Sequence, residues 1–269
     1  MSTLKLALRA EPPQRANLSQ LSPGVIGSLS VSEIEKLVLV DSTSPVRVGD
    51  CFAVSGEAGG ALHIEGGSQR LDYVGAGNTG EVVVDGDVGS YAGRQMRSGS
   101  LEIRGNAGSA LASNLRGGKI IVKGNAGDRI GHPLAGEKDG IAGGTVIVLG
   151  DVGDFASERM RRGTLIVKGR MGRSAGARMM GGTIYGEQGL GDHAGVQMRR
   201  GTLIGPTLEQ PLATFADCGT HDLLILKIME RYWRDKLGDL APPVISSAPR
   251  RLMGDMSSLG KGEILLTAG

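Results

Sequence analysis

The chain has 269 residues, with 30 Lys and Arg against 28 Asp and Glu for a formal net charge of +2. That near balance, with no lysine-rich run and no basic stretch interleaved with aromatics, gives no footprint for nucleic acid. Hydrophobic residues make up 40% but aromatics only 3%, and there are 46 glycines; an ordinary aromatic-anchored core is excluded, as is collagen, since no Gly-X-Y period is present.

Residues 1–50 read as an N-terminal cap with loops. The start MSTLKLALRAEPPQ is too short and too charged for a signal peptide, and Pro12, Pro13, Pro23 and Pro45 mark loops. Within SEIEKLVLV (32–40), Ser32 and Glu35 stand in a capping-box arrangement, which predicts a short helix covering the edge of whatever follows. No apolar run approaches 18 residues, and Cys51 and Cys218 have no paired spacing, so a reduced cytoplasmic protein without a membrane segment is expected.

Residues 51–205 are a repeat. Units begin at Glu81, Ser100, Lys119, Thr145, Thr164, Thr183 and Thr202, in steps of 19, 19, 26, 19, 19 and 19; the long step holds seven extra residues around HPLAGEKD (132–139). ALHIEG (61–66) reads as an imperfect earlier unit. Apolar residues recur at unit positions 2, 4, 8, 12 and 16, with Val82, Leu101, Ile120 and Val146 at position 2 and Met96, Leu115, Met160, Met179 and Met198 at position 16. Openings such as EVVV, KIIV and TLIV are β-branched and predict strands.

Nineteen residues cannot enclose a core alone, so each unit must stack on its neighbours at the roughly 4.8 Å strand spacing. The expected fold is mainly β: a right-handed parallel β-helix of glycine-rich 19-residue rungs with short N- and C-terminal helical caps. Glycines at positions 6, 9 and 19 fit corners needing positive φ or close backbone approach. The rung TIYGEQGLG (183–191), with Gly186 and Gln188 out of pattern, is expected to be bulged or widened.

Residues 206–269 read as a C-terminal helix and extended tail. HDLLILKIMERYWRDKL (221–237) sets Leu224, Ile228, Met229 and Tyr232 on one helical stripe, either a cap or a partner-facing helix. The stretch from 239, with APPV and SSAP, reads as an extended arm.

Motifs for chemistry are sparse. GDVGSYAG (86–93) and GNAGSALA (105–112) have GxxGxxxG spacing and no following helix, unlike a dinucleotide loop. His63, His132, His193 and His221 are scattered without ligand spacing, so no metal site is expected; His132, in the insert, fits a plain loop or a partner contact. Asp128, Asp154 and Asp192 share position 10 but are interrupted by Ser90, Ser109 and Arg173. With a single Trp at 233, this is poor support for a carbohydrate-active β-helix enzyme, the distant alternative. Arg97, Arg116, Arg161 and Arg199 share position 17, with Arg162 and Arg200 beside two of them. Like charges stacked at strand spacing repel unless neutralised, which leaves a solvated or salt-bridged face, a subunit interface or an anionic-ligand track. No catalytic residue is expected in this chain.

The unit TxIVxGxxGxxAGxxMxxG, with GDCFAVSGE (49–57) and LHIEGGSQRLDYVGAGNTG (62–80), resembles the family of the C subunit of formylmethanofuran dehydrogenase over about residues 49–205. The C-terminal domain of the glutamate synthase large subunit shares the repeat. The resemblance implies a non-catalytic structural subunit in a hetero-oligomer. In methylotrophic bacteria that complex moves formyl from formyl-tetrahydromethanopterin through a methanofuran-type carrier to formate. There, the C subunit would scaffold an amidohydrolase-like subunit, a formyltransferase and a further subunit. In methanogenic archaea it would belong to a molybdenum or tungsten formylmethanofuran dehydrogenase. No cofactor is expected on this chain, while zinc and a polyglutamyl carrier are implied for the partners, and that polyanion would suit the arginine stripe. Arginine outnumbers lysine, 21 to 9, without hyperthermophile-type Glu/Lys enrichment, and the bacterial complex is the expected setting.

Overall fold

The computed structural model describes residues 2–243 and 248–267. In chain order it contains β1 (Thr3–Leu8), the short helices α1 (Pro23–Ile26), α2 (Val31–Glu35) and α3 (Val48–Cys51), then β2 (Phe52–Gly56), β3 (Ala61–Glu65), β4 (Glu81–Asp85), β5 (Ser100–Ile103), β6 (Lys119–Val122), β7 (Thr145–Val148), β8 (Thr164–Val167), β9 (Met180–Gly186), β10 (Arg200–Gly205), β11 (Ala216–Thr220), α4 (Leu224–Leu237), β12 (Arg250–Gly254) and β13 (Lys261–Leu266). These strands form one 13-stranded sheet in the order β11-β12-β13-β10-β9-β8-β7-β6-β5-β4-β3-β1-β2. From β1 through β3 to β10 and on to β13 every pairing is parallel. Only the two ends turn antiparallel, β2 on β1 and β11–β12 on β13. The fold is therefore mainly β, with a large, mostly parallel sheet.

The repeat explains the register. Each unit's first residue pairs with the next unit's first residue, as in Ser100↔Lys119↔Thr145↔Thr164. Positions 2 and 4 point to one buried face: Val82, Leu101, Ile120, Val84, Ile103 and Val122 are fully buried. A second line of parallel bridges runs through position 8, linking Ser68, Val88, Ala107, Ala126, Val152 and Met171. One core cluster, from Leu4 to Ile264, includes the position-12 and position-16 residues as well.

The glycines serve two purposes. At position 19 the backbone is left-handed, with φ of 72° at Gly99 and 105° at Gly163, a region that favours glycine. At position 9 the reason is proximity: a Cβ on Gly108 would stand 2.7 Å from the Gly89 carbonyl carbon, in backbone that cannot yield.

Positions 11 and 15 are left-handed without glycine, among them Tyr91 (64°), Ala110 (58°), Arg129 (62°), Arg159 (53°) and Arg178 (54°). That conformation costs about 1–2 kcal/mol per residue. Amides there meet carbonyls one unit on: Tyr91 N–H donates to Ser109 O over 3.0 Å and Arg178 N–H to Val196 O over 2.8 Å, while Gln197 N–H donates to Asp255 Oδ2 over 2.8 Å. At position 7 a side chain spans the units. Asn106 N–H donates to Asp87 Oδ1 (2.7 Å), Asn125 N–H to Asn106 Oδ1 (2.9 Å) and Asp151 N–H to Asn125 Oδ1 (2.8 Å).

Several expectations are corrected. β1 lies inside the sheet between β2 and β3, so the first residues are not only loops and cap. The capping box is Ser30 with Glu33, two residues upstream of Ser32 and Glu35, because 38–40 is drawn into a strand pairing with 46–47. The tail is not an extended arm: β12 and β13 form a hairpin whose second strand continues the parallel series beyond β10. Part of the proline-containing stretch, residues 244–247, lies outside the described residues. The register irregularity sits between Met180 and Thr183, ahead of Gly186 and Gln188.

α4 does not cap the sheet's end. It lies on the sheet's outer face, where position 3 turns apolar: Ile121, Ile147, Ile166, Tyr185, Ile204 and Leu265 form a second cluster with Leu226 and Trp233 of the helix. Tyr185 and Trp233 meet edge to face, centroids 5.8 Å apart, and burial pushes the Tyr185 hydroxyl up to about 12, with help from Glu187. No helix among the described residues is long and apolar enough to cross a membrane.

Candidate functional site

Left-handed backbone at positions 11 and 15 turns side chains away from the core, and the insert folds back over this face. Ser113 Oγ donates to His132 O (2.7 Å), Asn114 Nδ2 to Asp139 O (2.8 Å), and Arg94 Nη2 to Glu137 Oε1 (2.7 Å), with Gln95 Nε2 on the same oxygen at 3.1 Å. Partial burial raises the Glu137 carboxyl, but the Arg94 guanidinium and the Leu134 N–H outweigh it and hold it below its ordinary range. His132 Nδ1 lies 3.0 Å from Glu158 Oε2, and Arg178 Nη1 reaches the other oxygen of that buried carboxylate at 2.9 Å. The insert is thus strapped to three units by charged and polar contacts.

Beside it lies a trough of about 470 Å³ lined by Lys138, Arg159, Arg178, Arg199, Met180, Gln197, Ser257 and Ser258. Its lining holds four cations and no carboxylate. Arg178 is tied to Glu158 and, through Nε, to Gln197 Oε1 at 3.0 Å, whereas Lys138, Arg159 and Arg199 form no ion pair among the described residues. Uncompensated cations in a concave site raise the local concentration of anions. A second cleft of about 780 Å³ shares Arg159 and Arg178 and runs under the insert.

The position-17 arginines are not gathered in one place. Arg199 lines the trough. Arg161 is neutralised by Asp139 at 3.1 Å, and Arg116 Nε donates to Asn114 Oδ1 at 2.9 Å. Arg97 borders a separate hollow with Val25 and Gln95, and Arg162 and Arg200 are exposed without ion pairs among the described residues. Ala142 and Met180 occupy position 17 in the other units and break the stripe. The missed cations, Arg159 and Arg178, share position 15, a periodic signal readable once that position is known to face outward.

The remaining candidates are accounted for structurally. In GDVGSYAG the amides are spent: Val88 N–H donates to Asn106 O, Gly89 N–H to Leu71 O and Ser90 N–H to Asp72 Oδ1. Asp128 Oδ1 accepts the Asp154 N–H, and Asp154 accepts the Arg173 N–H and its guanidinium, which hold its carboxyl low. His63 Nε2 lies 2.7 Å from Asp85 Oδ2 and holds that carboxyl low; His221 Nε2 lies 2.8 Å from Cys218 O; His193 is exposed. No group of three or more His, Cys, Asp or Glu converges on a metal position among the described residues. Both cysteines are free thiols.

On α4 the expected stripe divides. Leu224 (67% exposed), Ile225, Ile228 and Tyr232 stand in solvent, and Leu226 and Trp233 are the residues buried on the sheet. The bare side is an apolar surface of the kind that marks protein contacts.

No protein-family profile matches the chain. The C subunit of the formyltransferase/hydrolase complex Fhc of Methylorubrum extorquens is 42% identical over 90 residues, a segment covering 33% of this chain and 33% of that protein's length. Among solved structures, a chain of the formyltransferase/hydrolase complex FhcABCD of Methylorubrum extorquens, determined with methylofuran, superposes with a TM-score of 0.89 and 36% identity over 97% of this chain and 98% of that one.

Proposed function

The chain belongs to the family of the C subunit of the formyltransferase/hydrolase complex, and from that premise we propose that it is a non-catalytic structural subunit of a cytoplasmic complex of this kind. That complex passes formyl from formyl-tetrahydromethanopterin through a methanofuran-type carrier to formate. This chain scaffolds an amidohydrolase-like subunit, which carries zinc, a formyltransferase and a further subunit. The observation that carries the reading is the end-to-end superposition on a chain of a complex that contains methylofuran. The same kinship favours this setting over the archaeal dehydrogenase.

The parallel pairings at positions 1–4 and 8, with the amide-to-carbonyl bonds at 11 and 15, support a right-handed parallel β-helix spanning 51–205, flanked by 1–50 and 206–269. The bare side of α4 supports docking of another subunit there. In this reading Arg199, with Lys138, Arg159 and Arg178, takes an anionic carrier tail. Arg97, Arg116, Arg161, Arg162 and Arg200 serve the same tail or a subunit interface.

Affinity purification of the tagged chain from its native cells, with mass spectrometry, tests the assembly. Amidohydrolase-like and formyltransferase subunits should co-purify; molybdopterin and iron–sulfur subunits, or a lone monomer, would overturn it. Charge reversal at two of Arg97, Arg116, Arg161 and Arg199 should slow turnover with a long-tailed carrier more than with a truncated one, and equal loss on both would remove the anion track.

A further inference from the structure

A helix resting on one sheet needs a single apolar stripe, and α4 has two. The inner one, Leu226 and Trp233 with the partly buried Met229 and Leu237, packs on the position-3 residues of the sheet. The outer one is Leu224 (67% exposed), Ile225 (52%), Ile228 (55%) and Tyr232 (58%). Leu224, Ile228 and Tyr232 follow one another at four-residue spacing. They therefore form one line along about 12 Å of helix, with Ile225 beside it.

A basic line runs alongside. Lys227, Arg231 and Arg234 recur at spacings of four and three, on the edge next to Leu224. Arg234 is held by Glu230, whereas Lys227 and Arg231 are exposed and form no ion pair among the described residues. Asp235 is the one exposed carboxylate of the helix, and the exposed Lys236 on the opposite edge offsets it. The outer side is thus apolar along its middle and positive along one edge. That combination speaks against a second copy of this chain as the occupant. Two α4 helices meeting antiparallel about a two-fold axis would set each basic edge against its own copy, and like charges so placed repel. The line is also short. A standard interface takes about 800 Å² from each partner, more than four half-exposed side chains supply, so the occupant must also touch surface beyond the helix.

We propose that the outer side of α4 docks into another subunit that offers an apolar groove bordered on one side by carboxylates. Leu224, Ile228 and Tyr232 fill the groove, and Lys227 and Arg231 meet the carboxylates. This rests on the reading of the chain as a subunit of a hetero-oligomer and adds the chemistry of the surface it meets. The apolar line supplies the affinity, as anchors of a helix laid in a groove do; the two cations at the rim set orientation and the rate of encounter. An anionic membrane is the poorer fit. An interfacial helix sinks its apolar face about 5–10 Å into the headgroup boundary, and α4 has its other side fixed against the sheet.

The test uses the complex as cells assemble it. The tagged full-length chain is captured from its native cells at low salt and washed with rising salt, and the other subunits are quantified per tagged chain by mass spectrometry. Lys227→Glu with Arg231→Glu should retain severalfold less of one subunit than wild type in about 0.1 M salt, and the gap should close near about 1 M, where charges are screened. Lys227→Gln with Arg231→Gln removes the charge without reversing it and should fall between the two. Both variants should melt with wild type, since both positions are exposed. Ile228→Glu should lower retention at every salt. Retention equal to wild type in the charge-reversed variant, or a deficit that salt leaves unchanged, would overturn the proposal while the hetero-oligomer stands. A wild-type chain that brings no other subunit would overturn both. Binding of the chain to vesicles of phosphatidylserine and phosphatidylcholine, abolished by the charge reversal with subunit retention intact, would also overturn it and assign α4 to a membrane.

Discussion

Arg94 and Glu137, 43 residues apart, are joined at 2.7 Å, so the carboxylate of the insert is pinned to a unit two steps upstream of its own. Glu137 is mostly shielded and its carboxyl is held below the ordinary 4.5. A depressed folded value means the contact stabilises fully above the unfolded pKa and is lost as pH falls through the folded one. The insert should therefore stay docked at neutral pH and loosen only in acid, below the ordinary carboxylate range. NMR of the Leu134 amide and the Glu137 carboxyl carbon should titrate together there, and Glu137→Gln should show at pH 7 the Leu134 shift that wild type reaches only in acid.

Gly108 is held by proximity to backbone. Gly108→Ala should cost roughly 2–3 kcal/mol, since overpacking against immobile atoms forces the units apart. Gly77→Ala, at φ 65° with nothing within 4 Å of the added carbon, should cost only about 1 kcal/mol. Guanidinium unfolding of both variants measures the difference, and equal losses would show that conformation rather than spacing sets the glycine requirement.

Asn106 accepts the Asn125 N–H and donates to Asp87 Oδ1 at 3.0 Å. Asn106→Ala should lower stability by about 1–2 kcal/mol, the net worth of one or two hydrogen bonds, and Asn106→Asp, which keeps the acceptor for Asn125 but sets a second carboxylate against Asp87, should also fall below wild type at neutral pH. Thermal melts read this out, and an Asn106→Ala melting temperature equal to wild type would argue against a structural role for the ladder.

The two sides of α4 should separate folding from association. Trp233→Ala opens a cavity beneath the helix and should cost about 3–5 kcal/mol. Ile228 is 55% exposed, and Ile228→Glu should melt within about 0.5 kcal/mol of wild type, as surface changes do, while reducing co-purification of the other subunits. Undiminished co-purification would move the contact off this helix.

The period and its apolar positions were legible because burial imposes the same demand on every unit, as the shared burial of Val82, Leu101 and Ile120 illustrates. Position 3 carries a signal as well: it changes from Glu102 to Ile121, Ile147 and Ile166, marking where α4 lies. β13 carries a faint signal too, since Gly262-Glu263-Ile264 repeats Gly80-Glu81-Val82, but 56 residues intervene between Gly205 and Gly262. The left-handed residues were not legible. Tyr91, Ala110 and Arg129 share no side-chain chemistry, and their conformation is imposed by the carbonyl of the next unit. Nor was the cationic trough, because Lys138 and Ser257 reach it from outside the period.

The reversal of strand direction at both ends of the sheet has a consequence for how the molecule meets others. An open edge on a series of parallel strands invites a second copy to continue it, which is the route to a fibre. β2 runs against β1, so a copy arriving at that end meets reversed polarity. At the other end β12 runs against β13 and β11 reverses again, with a register irregularity between Asp217 and Thr220, so the ladder that a copy would have to continue is broken there. Edge-to-edge growth of the sheet is disfavoured at its two ends by different means.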